Sequence, residues 1–363
     1  MTRGTLASTL RLGRLAGAAA IRRQVAGTLG RARRARRKPA ADAAPGPEGR
    51  VALRRGGRHV WFALAGTLVA LPLLADPGPA RAGNGQAATP NTARETGTAV
   101  APSCGQLAGF DRHHFARPTH INNRWLPLIP GTRFTLVGQA NGGGGLRPHR
   151  VVSTVTELTK VIDGVRARVV LELDIDNGQL QEAELAFHAQ DNAGNVWNLG
   201  EYPEEHENGR FVGAPDTWIA GVAGAKAGVL MPARPRLGTP SYRQGFAPDI
   251  EFLDCAKTFA TDRRTCAPGK CYDHVLVTDE WSPLDPAGGH QRKFYAPGVG
   301  NVRVGAVNDP EAETLVLVDV ARLDPRASAE ACERALRLER RAYRVSDVYR
   351  HTPPVEGCGR IHG

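Results

Sequence analysis

The residues best suited to chemistry fall into three groups. His113, His114 and His120 stand close together near the start of the first patterned stretch. Imidazole is a common ligand for zinc and copper, so His114 and His120 are candidate metal ligands, with His149, His188 or His206 required as a third. Asp191 opens the run Asp191-Asn192-Ala193-Gly194-Asn195, whose oxygens suit calcium and make Asp191 a further candidate. The EF-hand pattern fails here: the third position is Ala193, the glycine is fourth, and the twelfth residue is Tyr202. A turn uses Asn and Gly equally well, because both tolerate positive φ. Glu201, Glu204, Glu205, His206 and Glu207 form the third group. Paired carboxylates divide acid and base roles when their environments differ, but this run reads as a loop, where carboxylates are solvated.

Signatures of nucleophilic or zinc hydrolases (G-x-S-x-G, S-x-x-K, HExxH) are absent. The four glycines at 142–145 precede no helix that would present its amides to a phosphate, and they read as a hairpin tip. Trp125, Trp197, Trp218 and Trp281 carry large apolar surfaces; such rings pack cores by default and are the candidate ligand-binding residues if a groove exists. No catalytic residue and no cofactor are assigned.

Charge excludes one class of partner. The 363-residue chain has a formal net charge of +11, but residues 1–82 hold 16 Lys+Arg and 3 Asp+Glu, leaving 31 basic and 33 acidic residues in 83–363. The body therefore has no cationic excess to neutralise nucleic-acid phosphates. The basic leader instead ends in a 16-residue apolar run, 60–75, preceded by Arg54, Arg55 and Arg58 and followed by Ala80-Arg81-Ala82. A positive flank, a short apolar core and a small-x-small exit describe a secretory signal, and the run is short for a stable membrane span. The chain is expected to be extracytoplasmic, either secreted or anchored in the cytoplasmic membrane by 60–75. The long basic stretch before the signal reads either as a cytosolic arm or as the product of an early start, since a start near Val51 leaves a leader of ordinary length.

All six cysteines, Cys104, Cys255, Cys266, Cys271, Cys332 and Cys358, follow the leader. An even count in an exported chain predicts disulfides, and the paired C-x-x-C spacings of structural zinc are missing. Spacing favours a pair among Cys255, Cys266 and Cys271, a pair of Cys332 with Cys358, and Cys104 with the remaining partner.

The elements that must carry these groups are mostly strands. Between Val165 and Asp176 every second residue is apolar, the mark of a half-buried strand with one polar face. Asp163-Gly164 precedes it and Asn177-Gly178 follows it, dipeptides that suit two-residue hairpin turns. Residues 149–162, 165–176 and 179–190 thus read as an antiparallel meander, continued by 196–201. Further strands are expected at 250–259, 271–281, 291–295, 301–307 and 313–322, with a short one at 216–220. Residues 202–249 otherwise read as long Gly- and Pro-rich loops, and 327–350 as a surface helix tied down by Cys332. The domains are a basic extension over 1–59, the signal or anchor over 60–82, a disordered linker over 83–103, a β domain over 104–325, and a C-terminal helix with a disulfide-tied tail over 326–363.

Several segments resemble a family of functionally uncharacterised exported bacterial proteins, found mainly in actinobacteria. They include Pro118-Thr119-His120-Ile121-Asn122-Asn123-Arg124-Trp125-Leu126-Pro127-Leu128, Ala189-Gln190-Asp191 with Gly194-Asn195-Val196-Trp197, Trp218-Ile219-Ala220-Gly221, Met231-Pro232-Ala233 and Tyr295-Ala296-Pro297-Gly298-Val299-Gly300. The resemblance covers about residues 115–320 and transfers no activity. Proteins with a similar Tyr…Pro-Gly-Val-Gly strand look like open half-barrels that hold lipid, which implies such a fold here by analogy alone.

The expectation is a mainly β protein built on a large antiparallel sheet (half-barrel, barrel or sandwich) with a short C-terminal helix. It is more a binder than an enzyme, its partner an apolar ligand or envelope component, and it touches membrane only through its N-terminal segment. The alternatives are a metal-dependent extracytoplasmic enzyme and a purely structural envelope domain.

Overall fold

The computed structural model describes residues 104–141 and 145–358. The extension, apolar segment and linker over 1–103, and the glycines at 142–144, lie outside the described residues. Fourteen strands follow one another: β1 (Thr132–Asn141), β2 (Leu146–Ile162), β3 (Val165–Asp176), β4 (Gln179–Gln190), β5 (Val196–Glu207), β6 (Arg210–Gly213), β7 (Trp218–Ile219), β8 (Lys226–Met231), β9 (Tyr242–Ala247), β10 (Phe252–Ala267), β11 (Lys270–Trp281), β12 (His290–Ala296), β13 (Gly300–Val307) and β14 (Thr314–Arg322). Among the described residues one α-helix, α1 (Pro325–Val345), follows the strands.

The strands close into a barrel. Twelve of them form the antiparallel ring β1-β2-β3-β4-β5-β8-β9-β10-β11-β12-β13-β14, with β6 and β7 attached to β5. The seam is the pairing of β1 with β14, which runs from Thr132↔Arg322 to Gln139↔Thr314. Of the three architectures compatible with the sequence, the closed barrel is the one formed, and the open half-barrel implied by analogy is corrected. Closure gives every ring strand two neighbours and so leaves no open edge in the ring. At the seam Gly138 is required by space: a Cβ there would lie 1.7 Å from the Thr314 carbonyl oxygen.

The meander β2-β3-β4 follows its local pattern. Asp163 and Gly164 have φ of 45° and 76°, and Asn177 and Gly178 have 47° and 78°. Two consecutive positive φ values are what a tight hairpin needs to match strand twist. Elsewhere the pattern misleads. In β1 the alternation is interrupted by Gly138, so the pattern alone predicts no strand there, and β8 and β9 lie in the stretch that reads as loops. Short strands of this kind are held by their neighbours in the ring more than by their own propensity. The acidic run from Glu201 to Glu207 is also a correction: it belongs to β5, which pairs with β4 through Ala186↔Glu201, Ala183↔Glu204 and Glu182↔Glu205.

Helix α1 begins at Pro325, a residue suited to the first helical position, with the Asp324 side chain accepting from the Ala327 amide. Its buried stripe of Cys332, Ala335, Leu338 and Ala342 packs with Val165, Ala167, Val169 and Leu171 of β3 and Leu185 and Phe187 of β4. Those residues are the apolar alternates of the two strands, so this face points out of the barrel and under the helix. Cys332 bonds Cys358, Cys104 bonds Cys255, and Cys266 bonds Cys271.

A second apolar cluster unites Phe134 and Leu136 of β1, Val151 and Val155 of β2, Val170 of β3, Tyr295 of β12, Val302 and Val304 of β13 and Leu315 and Leu317 of β14. It joins strands from around the ring, which places it in the barrel's interior. Ile121, Leu126 and Leu128 enter it from the N-terminal segment. Cross-strand partners share a face, and following them along the interior shows a gradient. On β2 and β3 the inner residues pass from Val155 and Val170, through Ser153 and Glu172, to His149 and Asp176. One end of the barrel is therefore apolar and the other acidic.

Candidate functional site

The acidic end is assembled by the β1–β2, β3–β4 and β13–β14 hairpins. His149 stands at its centre, with its side chain 4% exposed. Its Nδ1 lies 2.6 Å from Asp176 Oδ1 and 3.3 Å from Asp174 Oδ1, and its Nε2 lies 2.8 Å from Glu313 Oε1. Gln291 Nε2 donates to the other oxygen of Glu313 at 2.5 Å, and Ser153 donates to Glu172 at 2.5 Å. Opposite on the ladder, Asp174 faces Glu182 and Glu172 faces Glu184. Further round the barrel Lys293 and Glu280 form a buried pair 2.8 Å long.

Electrostatics follow from this crowding. Burial opposes charge on His149, but hydrogen bonds to Asp176 and Glu313 and the charge of Asp174 outweigh it, raising the imidazole to about 11. Burial pushes the Asp174 carboxyl up to about 7, with His149 opposing and Asp176, Glu313 and Glu172 adding to it. Glu311, in the β13–β14 turn, is pushed up to about 9 by burial and by Asp309, Glu313, Asp176 and Asp174. Carboxylates this close cannot all ionise without cations beside them.

The apolar end carries a cleft of about 560 Å³. Ile129, Phe134, Tyr272, Leu317, Val318 and Val320 line it, and Lys270 and Arg322 stand among them. The cleft forms where β14 runs on beyond its pairing with β13, which ends at Arg303↔Val316, while it stays paired with β1 through a bulge at the Thr135/Leu136 step, and Val318 and Val320 stay exposed.

The residues singled out by sequence do not converge. His114 lies in the short turn Arg112–His114, 3.9 Å from Asp111 and 69% exposed. His120 is exposed on the N-terminal segment. Neither joins His149, which meets carboxylates instead, while His206 bonds the Glu204 carbonyl. Asp191 organises its own turn, accepting from the Asn195 amide and side chain and from Trp197 Nε1. Trp197 is buried with Phe110 and Phe115. Trp218 is buried against Phe252 and donates to Glu201. Trp281 stacks on His290, and Trp125 lies under Arg124. The four rings thus occupy separate places and form no common groove. Within the acidic run, Glu201 receives Asn198 and Trp218, and Glu204 receives Tyr202 and Arg341.

The sequence did contain the acidic site in one respect. Glu172, Asp174 and Asp176 are the polar alternates of β3, and a polar face on a half-buried strand is the one that ordinarily meets solvent. In the closed barrel it meets the interior.

No protein-family model matches the chain, and no curated protein matches it. Two solved structures are similar over part of it. One is a protein provisionally described as a lipoprotein from Parabacteroides distasonis, at 12% identity, covering 55% of this chain and 99% of its own, with a TM-score of 0.32. The other, from Bacteroides fragilis, is provisionally described as exported with a YmcC-like fold, at 14% identity, with the same coverages and a TM-score of 0.30. Likeness of this degree carries no argument about what the chain does.

Proposed function

We propose that the chain is an exported, extracytoplasmic member of the bacterial family with the Tyr-Ala-Pro-Gly-Val-Gly strand, and that it binds an amphiphilic apolar ligand at the apolar mouth of its barrel. The cleft there carries the reading. Its 560 Å³ falls within the range that encloses small ligands. Exposed Ile129, Val318 and Val320 offer it apolar surface, which a folded chain keeps in water at a cost unless something covers it. Lys270 and Arg322 outnumber the one carboxylate of the lining, Asp319, which favours an anionic head group. The signal-like segment over 60–82 supports export, and so do three disulfides, which persist in oxidising compartments.

The experiment is lipid extraction and native mass spectrometry of the purified full chain, followed by displacement of a fluorescent fatty-acid probe. Bound amphiphile is expected, with probe affinity falling at least about tenfold in Val320→Asp, since an ionised carboxylate in an apolar pocket costs more than 1.4 kcal/mol. A chain that carries no lipid and leaves the probe free overturns the reading and favours a purely structural envelope domain.

A further inference from the structure

The acidic end of the barrel points to a different ligand, independent of the cleft. We infer that His149 Nδ1 and the carboxylates of Asp174 and Asp176 form a binding site for one divalent transition-metal ion, with zinc as the natural probe. Among the described residues these three form the group of His, Cys, Asp or Glu side chains with ligand spacing: one donor atom from each lies within 4.8 Å of the others. In a tetrahedral zinc site the donors stand about 3.3 Å apart, given metal–ligand distances near 2.0–2.1 Å. His149 Nδ1 and Asp174 Oδ1 already have that separation, at 3.3 Å. Asp176 Oδ1, now 2.6 Å from the same nitrogen, has to withdraw by less than about 1 Å to make room for the ion. It is placed to do so, being the last residue of β3, beside the Asn177-Gly178 turn, with its side chain 13% exposed.

The surroundings match what a metal-binding histidine needs. Such a residue donates its second ring N–H to a carboxylate, which fixes the tautomer and aims the ring. Glu313 holds that position on Nε2 at 2.8 Å and is itself held by Gln291. Two further oxygens around Glu313 are buried without a hydrogen-bond partner, Gln291 Oε1 and Asp309 Oδ2, in residues that are 1% and 8% exposed. Buried oxygens left unpaired are costly, so the polar network behind Glu313 is short of donors. Charge balance leads to the same place. Asp174, Asp176 and Glu313 touch one imidazole, with Glu172, Glu311 and Asp309 close behind. A single imidazolium offsets one negative charge, whereas a divalent ion beside a neutral imidazole offsets two. One imidazole with carboxylates suits zinc or manganese better than calcium or magnesium, whose sites are built from oxygen.

The test uses tag-free full chain stripped with a chelator. Equilibrium dialysis against Zn²⁺ with elemental analysis should give one bound ion per chain. Affinity should fall by more than the about 10- to 100-fold that loss of an outer-shell partner costs in Asp176→Asn and His149→Gln and stay unchanged in His114→Ala, which removes an exposed imidazole outside the site. Cobalt in place of zinc supplies a readout that needs no variant, because four-coordinate cobalt absorbs visible light far more strongly, and at longer wavelength, than the weakly coloured hexa-aquo ion. Wild-type chain that takes up neither ion stoichiometrically overturns the inference. So does binding that His114→Ala removes and Asp176→Asn leaves intact. His149 would then stand as an imidazolium caged by carboxylates.

Discussion

Lys160 Nζ and Glu339 Oε1 lie 3.0 Å apart, and this pair ties the ring strand β2 to the helix α1 across the outer core. Lys160 is fully buried, and its three ammonium hydrogens have three acceptors: Glu339, Tyr343 Oη and the Pro353 carbonyl. The Tyr349 ring faces it at 4.2 Å, while the same Glu339 oxygen accepts from the Val355 amide. A buried pair satisfied on all sides is expensive to break from one side, because the remaining charge has no water to turn to. Lys160→Ala should cost about 3–5 kcal/mol of unfolding free energy. The double change Lys160→Met with Glu339→Leu should cost clearly less than the sum of the single changes, since it removes both charges and keeps the volume. Urea unfolding of Lys160→Met, Glu339→Leu and the double variant measures this, and additive costs would show that the two charges do not act as a pair.

Why one half of this molecule was legible and the other was not has a physical basis. The β2-β3-β4 meander is local, and both its alternation and its turn dipeptides lie within 149–190, so its strand ends at Ile162, Val165, Asp176 and Gln179 coincide with the pattern. The acidic site is non-local. His149 and Glu313 meet across 164 residues of sequence, and nothing near either one announces the β1–β14 seam that brings them together. A period of two reports that a strand has two unlike faces, without saying which is outside. On β3 the apolar face lies under α1 and the polar face over Glu172 and Asp174 lines the barrel, so in the middle of the strand neither face is exposed. Residues 202–249 failed for a third reason: β8 and β9 are short, contain Gly228 and Gly245, and owe their extended form to their partners.

The disulfides differ in what they constrain. Cys104–Cys255 spans 151 residues and ties the N-terminal segment to β10, Cys332–Cys358 spans 26, and Cys266–Cys271 closes the β10–β11 hairpin over 5. In the chain-entropy account a cross-link stabilises by restricting the unfolded ensemble, by about 5, 3.5 and 2 kcal/mol for loops of these lengths. Replacing each pair by serines should lower the unfolding midpoint in that order, with Cys104→Ser/Cys255→Ser the most damaging. An equal loss from Cys266→Ser/Cys271→Ser would mean that native-state packing, rather than loop length, sets the ranking.

The crowded carboxylates should make the barrel less stable as pH rises. Glu184 of β4 is buried against Glu172 of β3, Glu182 of its own strand and Glu201 of β5. Burial, then the negative charges of Glu201, Glu182 and Glu172, hold its carboxyl well above the usual range, and Lys293, the buried ammonium further round the barrel, is already paired with Glu280. In the unfolded chain the same group titrates near about 4.3. Between that value and the raised one the folded state keeps a proton that the unfolded state has released. The stability contributed by this proton is therefore complete below about pH 4.3 and is lost progressively as pH climbs toward the folded value, at up to about 1.4 kcal/mol per pH unit. Urea midpoints of the full chain, measured in chelator at pH 5, 6.5 and 8, should fall in that order. Glu184→Gln keeps the shape and cannot ionise, so it should lose less stability than wild type over the same interval. Parallel curves for the two proteins would mean that Glu184 is ionised in the folded barrel, with a cation beside it.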